Sequence, residues 1–390
     1  MLTKNIKFSN FYKKKNNSLR NKLVKMLNTD KILKTYPLLH SLNKNYKYSY
    51  DQNLIKKLKR YNSFNIIGMG GSILGTEAIY YFLKNQIKKK FFFFNNLQGS
   101  TILDSRKLKA NIIISKSGNT LETISNFNLI LDKERKNKNI IITEQKNNIL
   151  RKIGEKLNAE IIEHKDYIGG RYSILSEVGM LPAELMGLNP KKFKKFNNLV
   201  KSKKFINSLV DNVAFIYELI KEGKKNSVIL NYDEKSLNFF KWYQQLTAES
   251  LGKKSKGVFP IISSMPKDNH SLLQLYLDGP KNNFFTFFSV REKNPQKINR
   301  NFLYNNCSTL KKKNFQQIII SQKKATENVF KTKKIPYRIF EIIKRNEETM
   351  GELFTFFILE TILLGRLLKV NPLNQPSVEL IKKETQKILN

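Results

Sequence analysis

The chain has 390 residues, which is too long for one core of ordinary size and predicts two domains. Hydrophobic residues make up 40% and aromatic residues 11%, enough to fill buried cores and to exclude a wholly disordered chain. The single cysteine, Cys307, excludes a disulfide framework and a cysteine-based metal cluster, and it fits a reducing compartment. With only three histidines besides, we expect no metal site and no cofactor.

The charge is strongly positive, with 71 lysines and arginines against 31 acidic residues and a net charge of +40. Such a charge can indicate nucleic-acid binding. However, lysine, asparagine and isoleucine are plentiful along the whole chain, and no basic stripe or recognition motif stands out. We interpret the charge mainly as a compositional bias and expect no specific nucleic-acid partner, with nucleic-acid binding as an alternative of a different class.

Neither terminus nor interior predicts a membrane segment. The N-terminal residues contain no apolar core of secretory length. The most apolar stretch, residues 350–370, is interrupted by Glu352, Glu360 and Arg366, so it predicts a helix buried in the protein or at a subunit interface. We therefore expect a cytoplasmic protein with no membrane association.

The predicted elements begin with about 50 basic, asparagine-rich residues that have helical patches around residues 21–27. Short apolar runs then alternate with helical patterns. Strands are predicted at 63–67, 91–94, 111–115, 139–143 and 160–163, and helices at 74–83, 121–131 and 147–157. Such alternation is typical of βαβ units and a parallel sheet.

A lysine-rich stretch at 191–204 is interpreted as a linker, after which the alternation resumes. Strands are predicted at 226–231, 283–290, 316–321 and 335–343, and helices at 235–251, 347–369 and 375–389. The predicted fold class is α/β, with two doubly wound domains that contain parallel-rich sheets, plus a C-terminal helix. The predicted division is an N-terminal helical segment (1–50), a first domain (51–200), a second domain (201–370) and the C-terminal helix (371–390).

The first motif is NIIGMGGSILG at residues 65–75, where a strand leads into Gly68, Gly70, Gly71 and Ser72 before a helix. Glycine lets the backbone approach a ligand closely, and a helix N-terminus presents free N–H groups to an anion. The dinucleotide fingerprint is excluded because Ile73 stands where glycine or alanine is needed, and no Gly-Lys-Ser/Thr follows as a P-loop requires. An ordinary tight turn stays the alternative.

The second motif, SKSGNT at residues 115–120, also lies between a strand and a helix. Its hydroxyls and lysine suit a phosphate monoester, although serine and threonine there can also be plain helix caps. Both loops are expected at the carboxyl ends of strands in one parallel sheet, where open α/β sheets bind ligands. Together they favour a phosphate site.

These two loops resemble those of the sugar-isomerase fold, and within it the phosphoglucose isomerase family. Four further stretches agree in the expected chain order: GGRYS at 169–173, ESLGK at 249–253, NHS at 269–271 leading into QLYLDG, and QPSVELIK at 375–382. The resemblance covers about residues 60–385. One such motif would be weak, whereas the ordered series is specific.

The resemblance implies reversible isomerisation of glucose 6-phosphate to fructose 6-phosphate, in glycolysis and gluconeogenesis, by ring opening and proton transfer through a cis-enediol(ate). It implies Glu249 as the base and Arg171 as a fixed positive charge near the enediolate oxygens. It implies that His270 opens the ring, supplied by the neighbouring subunit of a homodimer, with Lys382 assisting.

The resemblance also assigns residues that bind the hexose phosphate. They are Gly71, Ser72, Ser115, Lys116, Ser117 and Thr120 for the phosphate. Gln245 stands one helical turn before Glu249 on the same face, so we expect it to contact the sugar, as we do Gln375 from the terminal helix. The sequence departs from the family at Ser377 and Ile381, which stand where glycine is usual, and at Asn119, which replaces a common threonine. His40 and His164 are interpreted as structural.

Two alternatives share the fold. A dual glucose- and mannose-phosphate isomerase would use the same proton transfer at C2 on either epimer. A non-catalytic sugar-phosphate-binding module would keep the serine loops and could lose Glu249, His270 and Lys382, all of which are present.

Overall fold

The computed structural model describes residues 1–10, 16–97, 109–133, 137–299, 301, 307, 309–311 and 313–389. The strands in these residues are β1 (Ile6–Asn10), β2 (Ser63–Gly68), β3 (Lys90–Phe94), β4 (Ala110–Ile114), β5 (Lys138–Thr143), β6 (Glu160–Glu163), β7 (Asn226–Asn231), β8 (Phe259–Ser264), β9 (Asn283–Val290) and β10 (Tyr337–Ile342).

The helices are α1 (Asn17–Met26), α2 (Thr29–Thr35), α3 (Gln52–Lys59), α4 (Leu74–Phe82), α5 (Leu121–Lys133), α6 (Ile149–Lys156), α7 (Glu177–Leu185), α8 (Pro190–Phe193), α9 (Phe196–Leu199), α10 (Lys203–Lys221), α11 (Leu237–Leu251), α12 (Leu273–Asp278), α13 (Phe315–Thr332), α14 (Glu347–Leu367) and α15 (Pro376–Leu389). None of the helices in the described ranges is long and apolar enough to cross a membrane.

The first sheet is parallel throughout, in the order β3-β2-β4-β5-β6. Its central strands are isoleucine-rich and buried on both faces, which is why they read as continuous apolar runs. Asn65, Asn111 and Asn139 lie opposite one another in register, and their amides form a buried ladder with two hydrogen bonds of 2.8 Å. These amides hydrogen-bond one another only when the strands are in this register, so the ladder favours it over a slipped one.

The second sheet has the order β1-β10-β9-β7-β8 and is parallel except for β1, which pairs antiparallel with β10 at one edge. The α/β class with parallel-rich sheets is therefore confirmed. The first 50 residues, expected to be helical, also contain this edge strand. The four-segment division of the chain stays a prediction.

The strand predicted at residues 316–321 is wrong, because these residues lie in helix α13. The backbone N–H of Gln317 donates to Asn314 Oδ1, and the backbone N–H of Asn314 donates to Gln317 Oε1, both at 2.9 Å. This reciprocal pair is a capping box. The apolar run itself does not distinguish a strand from a helix. Strand β8 was missed, since Pro260 within it argues against a strand.

Helix α11 is held in the core by a buried polar network. Arg338 and Glu360 are fully buried and paired, and Tyr243 of α11 donates to Glu360 Oε1 at 2.7 Å. Arg338 also donates to Thr286 Oγ1 (2.9 Å) and Asn212 Oδ1 (2.8 Å). The network joins α11 to α10, α14 and the second sheet, so it fixes the helix that carries Gln245 and Glu249.

The stretch 191–204, expected to be a linker, contains α8, α9 and the start of α10. Within it Lys194 is only 2% exposed, and its ammonium donates to the Ser41 and Leu175 carbonyls. The same ammonium lies 4.7 and 4.9 Å from the ring centroids of Tyr46 and Tyr48. This lysine therefore ties the N-terminal residues to the segment that precedes α7.

We predict that Lys194→Met lowers the free energy of unfolding by about 1–3 kcal/mol, because two buried carbonyls lose their donor. Urea denaturation followed by circular dichroism measures the change. Lys191→Met is the matched control, since Lys191 is exposed and its replacement should change stability by less than about 0.5 kcal/mol. Equal midpoints for the two variants would contradict the interpretation.

Candidate active site

The two motif loops leave the first sheet side by side. Gly68 at the end of β2 pairs with Ile114 at the end of β4. The chain continues from β2 to β3 on one side and later returns to form β4 on the other side. The space between β2 and β4 is therefore the topological switch point, where open α/β sheets bind ligands.

The SKSGNT loop is arranged around the Ser115 hydroxyl, which is buried. Ser115 Oγ and Thr120 Oγ1 share a hydrogen bond of 2.8 Å, and the Gly118 amide donates to Ser115 Oγ at 3.2 Å. Gly118 has a φ of +65°, and a Cβ there would lie 1.9 Å from Asn148 Oδ1. The backbone N–H of Asn119 donates to Ser117 Oγ at 3.3 Å. The predicted phosphate-binding hydroxyls thus lie together in one turn before α5.

Two other side chains of this loop are engaged with neighbouring segments. Lys116 Nζ donates to the Asp166 carbonyl at 2.6 Å and lies 3.5 Å from Glu144 Oε1. Asn119 Oδ1 accepts from the amide of Ile149, the first residue of α6, at 3.0 Å. Asn119, which departs from the family pattern, therefore binds a neighbouring helix here.

The glycine loop packs against protein backbone. Gly70 has a φ of +53°, and Gly71 lies so close to the Gly170–Arg171 peptide that a Cβ would come within 2.2 Å of Gly170 C. The sequence interpretation gave these glycines a role in ligand approach, and the structure adds a packing requirement at Gly71. Ser72, the last residue of this short 3-10 turn, is buried.

Helix α11 brings a glutamine and a glutamate to the same place. Gln245 and Glu249 are one turn apart on one face, and Gln245 Nε2 donates to Glu249 Oε1 at 2.9 Å. A Cβ on Gly70 would lie 2.7 Å from Gln245 Nε2, so the glycine loop touches this face. The Glu249 side chain is 30% exposed, which leaves its carboxylate accessible to a ligand.

Arg171 is the centre of the cluster, with a side chain that is only 2% exposed. A guanidinium has five N–H groups, and here each has an oxygen acceptor. The bonds run from Nε to Ser250 Oγ (2.8 Å), from Nη1 to Glu249 Oε2 (3.1 Å) and Gln375 Oε1 (2.7 Å), and from Nη2 to the carbonyls of Pro372 (2.6 Å) and Asn374 (3.2 Å). The Arg171 carbonyl in turn accepts from Trp242 Nε1 at 3.1 Å.

The structure therefore brings together four of the predicted residues: Arg171, Gln245, Glu249 and Gln375. A buried cation thus faces a partly exposed carboxylate and two amides. Such an arrangement can move a proton while it holds negative charge on neighbouring oxygens.

Two predicted residues lie outside this cluster in the single chain. His270 is exposed at the end of a short 3-10 helix, Lys267–His270. Lys382 lies on α15 and pairs with Glu379 at 2.8 Å. Within the described ranges, no hydrogen bond or ion pair joins either side chain to Arg171 or Glu249.

His164 is only 1% exposed, and its Nδ1 lies 3.1 Å from the Lys165 carbonyl. Burial lowers the pKa of His164 to about 4, so the ring is neutral at physiological pH. This agrees with a structural role. His40, the other histidine interpreted in that way, is exposed.

Sequence reasoning missed several groups that support the cluster. Ser250 and Lys253 stand inside the ESLGK motif, in which only Glu249 was predicted to have a role. Ser250 Oγ accepts from Arg171, and Lys253 donates to the Ser250 carbonyl. Tyr172 also bonds both Ser250 Oγ (2.9 Å) and the Pro372 carbonyl (3.0 Å). The Pro372 and Asn374 acceptors are backbone carbonyls, so no residue type could have indicated them. In the part of the chain that the structure describes, no group of three or more His, Cys, Asp or Glu side chains could hold a metal ion.

Comparisons with known proteins show which family the sequence belongs to. A family model described as phosphoglucose isomerase matches residues 56–390. The glucose-6-phosphate isomerase of Methanocaldococcus jannaschii is 34% identical over 349 residues, which cover 86% of each chain. A probable glucose-6-phosphate isomerase of Methanococcus maripaludis is 32% identical over 388 residues, which cover 94% of this chain and 87% of the relative.

A crystal structure of a glucose-6-phosphate isomerase from Chlamydia trachomatis is similar in fold, with a TM-score of 0.75 at 15% identity. The match covers 99% of this chain and 89% of that one. The family model spans both motif loops, the Arg171–Glu249 cluster and α15. The chain belongs to the phosphoglucose isomerase family.

Proposed function

We propose that the protein interconverts glucose 6-phosphate and fructose 6-phosphate by ring opening and proton transfer through a cis-enediol(ate). As a member of its family the chain is an aldose–ketose isomerase. The observation that carries the specific proposal is the contact of Glu249 with Arg171 beside Gln245 and Gln375. The hydroxyl loop at the neighbouring strand end supplies a phosphate anchor.

In this proposal the phosphate is bound by Gly71 and Ser72 of the first loop and by Ser115, Lys116, Ser117 and Thr120 of the second. Backbone N–H groups and hydroxyls at the start of a helix suit a dianion. The adjacent ends of β2 and β4 support one shared anchor for both loops. Gln245 and Gln375 then contact the sugar hydroxyls.

Glu249 is the base that takes the proton from C2 of the open-chain aldose and returns it to C1 of the enediolate. The C2–H bond breaks as the C1–C2 double bond forms, and the electron pair of the C1–O1 π bond moves onto O1. A proton then passes from the O2 hydroxyl to O1, so that return of the first proton to C1 leaves the C2 carbonyl of the ketose. Arg171 stabilises the negative charge on the enediolate oxygens, because its buried guanidinium is already oriented. Since each of its N–H groups has a protein acceptor, the cation stays in place through the reaction.

His270 opens the ring and Lys382 assists, and both serve the active site of a homodimer. Their exposure in the single chain supports a role across a subunit interface. Leu380 and Ile381 beside Lys382 are 64% and 69% exposed, which also supports contact with a second copy. This activity has a role in glycolysis and gluconeogenesis, and a cytoplasmic location stays a prediction.

We predict that Glu249→Gln lowers kcat by at least about 10²-fold, since the amide cannot accept the C2 proton but still accepts a hydrogen bond from Arg171. A coupled assay that starts from fructose 6-phosphate measures the rate. Glu234→Gln, which replaces an exposed carboxylate shortly before α11, is the control and should keep full activity. Near-normal turnover in Glu249→Gln would disprove its role as the base.

Assays of the wild-type protein separate the alternatives. A non-catalytic binding module would show no turnover in the wild-type protein but would bind fructose 6-phosphate in calorimetry. A parallel assay with mannose 6-phosphate tests the dual specificity. Binding to DNA that persists at about 0.5 M salt would support the nucleic-acid alternative, since phosphate contacts weaken steeply with salt.

We predict that Thr120→Val raises KM for fructose 6-phosphate by about tenfold and changes kcat little, because a hydrogen bond to a charged phosphate is lost. Steady-state kinetics over a wide substrate range measure both constants. Thr332→Val, on the exposed end of α13, is the matched control. An unchanged KM in Thr120→Val would remove this threonine from the phosphate anchor.

A further inference from the structure

The segment between α14 and α15, residues 368–375 and called here the linking segment, is held through its backbone carbonyls by three cationic side chains. Lys256 Nζ donates to the Leu368 carbonyl at 3.0 Å and Lys253 Nζ to the Asn371 carbonyl at 2.7 Å. The carbonyls of Pro372 and Asn374 accept from Arg171, as described above. Gln375, which also binds Arg171, ends the segment.

The linking segment determines where α15 lies. No residue of α15 is buried, so packing in the single chain does not fix its position. The helix follows Gln375 directly. Contacts to the linking segment therefore set both the Gln375 side chain and the direction in which α15 leaves the protein.

Lys253 connects this segment to the end of the helix that carries Glu249. Its ammonium donates to the Ser250 carbonyl at 2.9 Å as well as to that of Asn371. One bond lies in the last turn of α11, where a cation also interacts favourably with the helix dipole. A single side chain thus joins the helix of Glu249 to Asn371 in the linking segment, which ends at Gln375.

The turn that follows Lys253 contains three residues with positive φ. Lys254 and Ser255 have φ values of +53° and +57°, and Gly257 has +110°. Two consecutive non-glycine residues in the left-handed region cost free energy and persist only where the surroundings hold them. In this conformation of the turn, the side chains of Lys253 and Lys256 both reach carbonyls of the linking segment.

We propose that Lys253 is a positioning residue for the isomerisation: it holds Gln375 and the start of α15 in register with Glu249. This inference rests on the proposed function. Lys253 does not need to touch the substrate, because it acts through the linking segment.

The electrostatic surroundings agree with this role. Burial lowers the pKa of Lys253 to about 8, with Arg171 acting in the same direction and Glu249 opposing. Asn371, the residue of the linking segment that it binds, has no ionisable side chain. As pH rises through about 8 the ammonium loses its charge, and its bonds to the two carbonyls weaken.

The kinetic test compares Lys253→Met, Lys253→Arg and the neighbouring Lys254→Met in the coupled assay. We expect Lys253→Met to lower kcat about tenfold with KM changed less than about twofold, because small displacements of reacting groups are costly. Lys253→Arg should restore most of kcat and keep it above pH 8, where the wild-type kcat falls. Lys254→Met should behave as wild type at each pH.

Hydrogen exchange without substrate gives a readout that does not depend on the reaction. Lys253→Met should speed exchange in residues 371–378 at least about threefold, whereas Lys254→Met should not, and urea midpoints show that both variants stay folded. Wild-type kcat and exchange in Lys253→Met would overturn the positioning role. A wild-type protein that is inactive on hexose phosphates, with exchange altered as expected, would instead overturn the proposed function.

Discussion

A buried guanidinium is stable only if its charge is compensated and its five donors find acceptors. Arg171 meets this requirement with side-chain oxygens of α11 and with oxygens of the linking segment, among them the Gln375 side chain. These segments are far apart in the chain, so they must come together around one side chain. The partly exposed Glu249 supplies the compensating charge. The position of this carboxylate, the proposed base, therefore follows from the need to neutralise a buried arginine.

Helix α11 is constrained at two levels, and this explains why it can carry the central residues. In the core, Tyr243 hydrogen-bonds the Arg338–Glu360 pair, and this network joins the helix to α10, α14 and the second sheet. At its C-terminal end, Arg171 and Lys253 bind Glu249, the Ser250 hydroxyl and the Ser250 carbonyl. A helix held in this way orients Gln245 and Glu249, as the proposed proton transfer requires.

Much of the fold could be predicted because its central strands are local apolar runs. The isoleucine runs of β4 and β5 and the glycine loop after β2 correctly predicted a parallel sheet with both motif loops at one edge. The prediction failed at α13, because a short apolar run fits either a strand or a helix. It also failed at β1, because this strand forms by pairing with β10, which is distant in the sequence. The lysine-rich stretch misled for another reason: one of its lysines, Lys194, is buried against carbonyls and aromatic rings, which composition does not reveal.

The sequence by itself determined the chemistry that depends on neighbouring residues: hydroxyls and N–H groups where a helix begins, and an amide one turn before a carboxylate. Only the tertiary structure decided which distant groups meet that chemistry. The acceptors that orient Arg171 and Lys253 are largely main-chain carbonyls, and every residue has one. Because no letter of the sequence distinguishes a carbonyl that receives a cation from one that faces water, the chain path alone selects them.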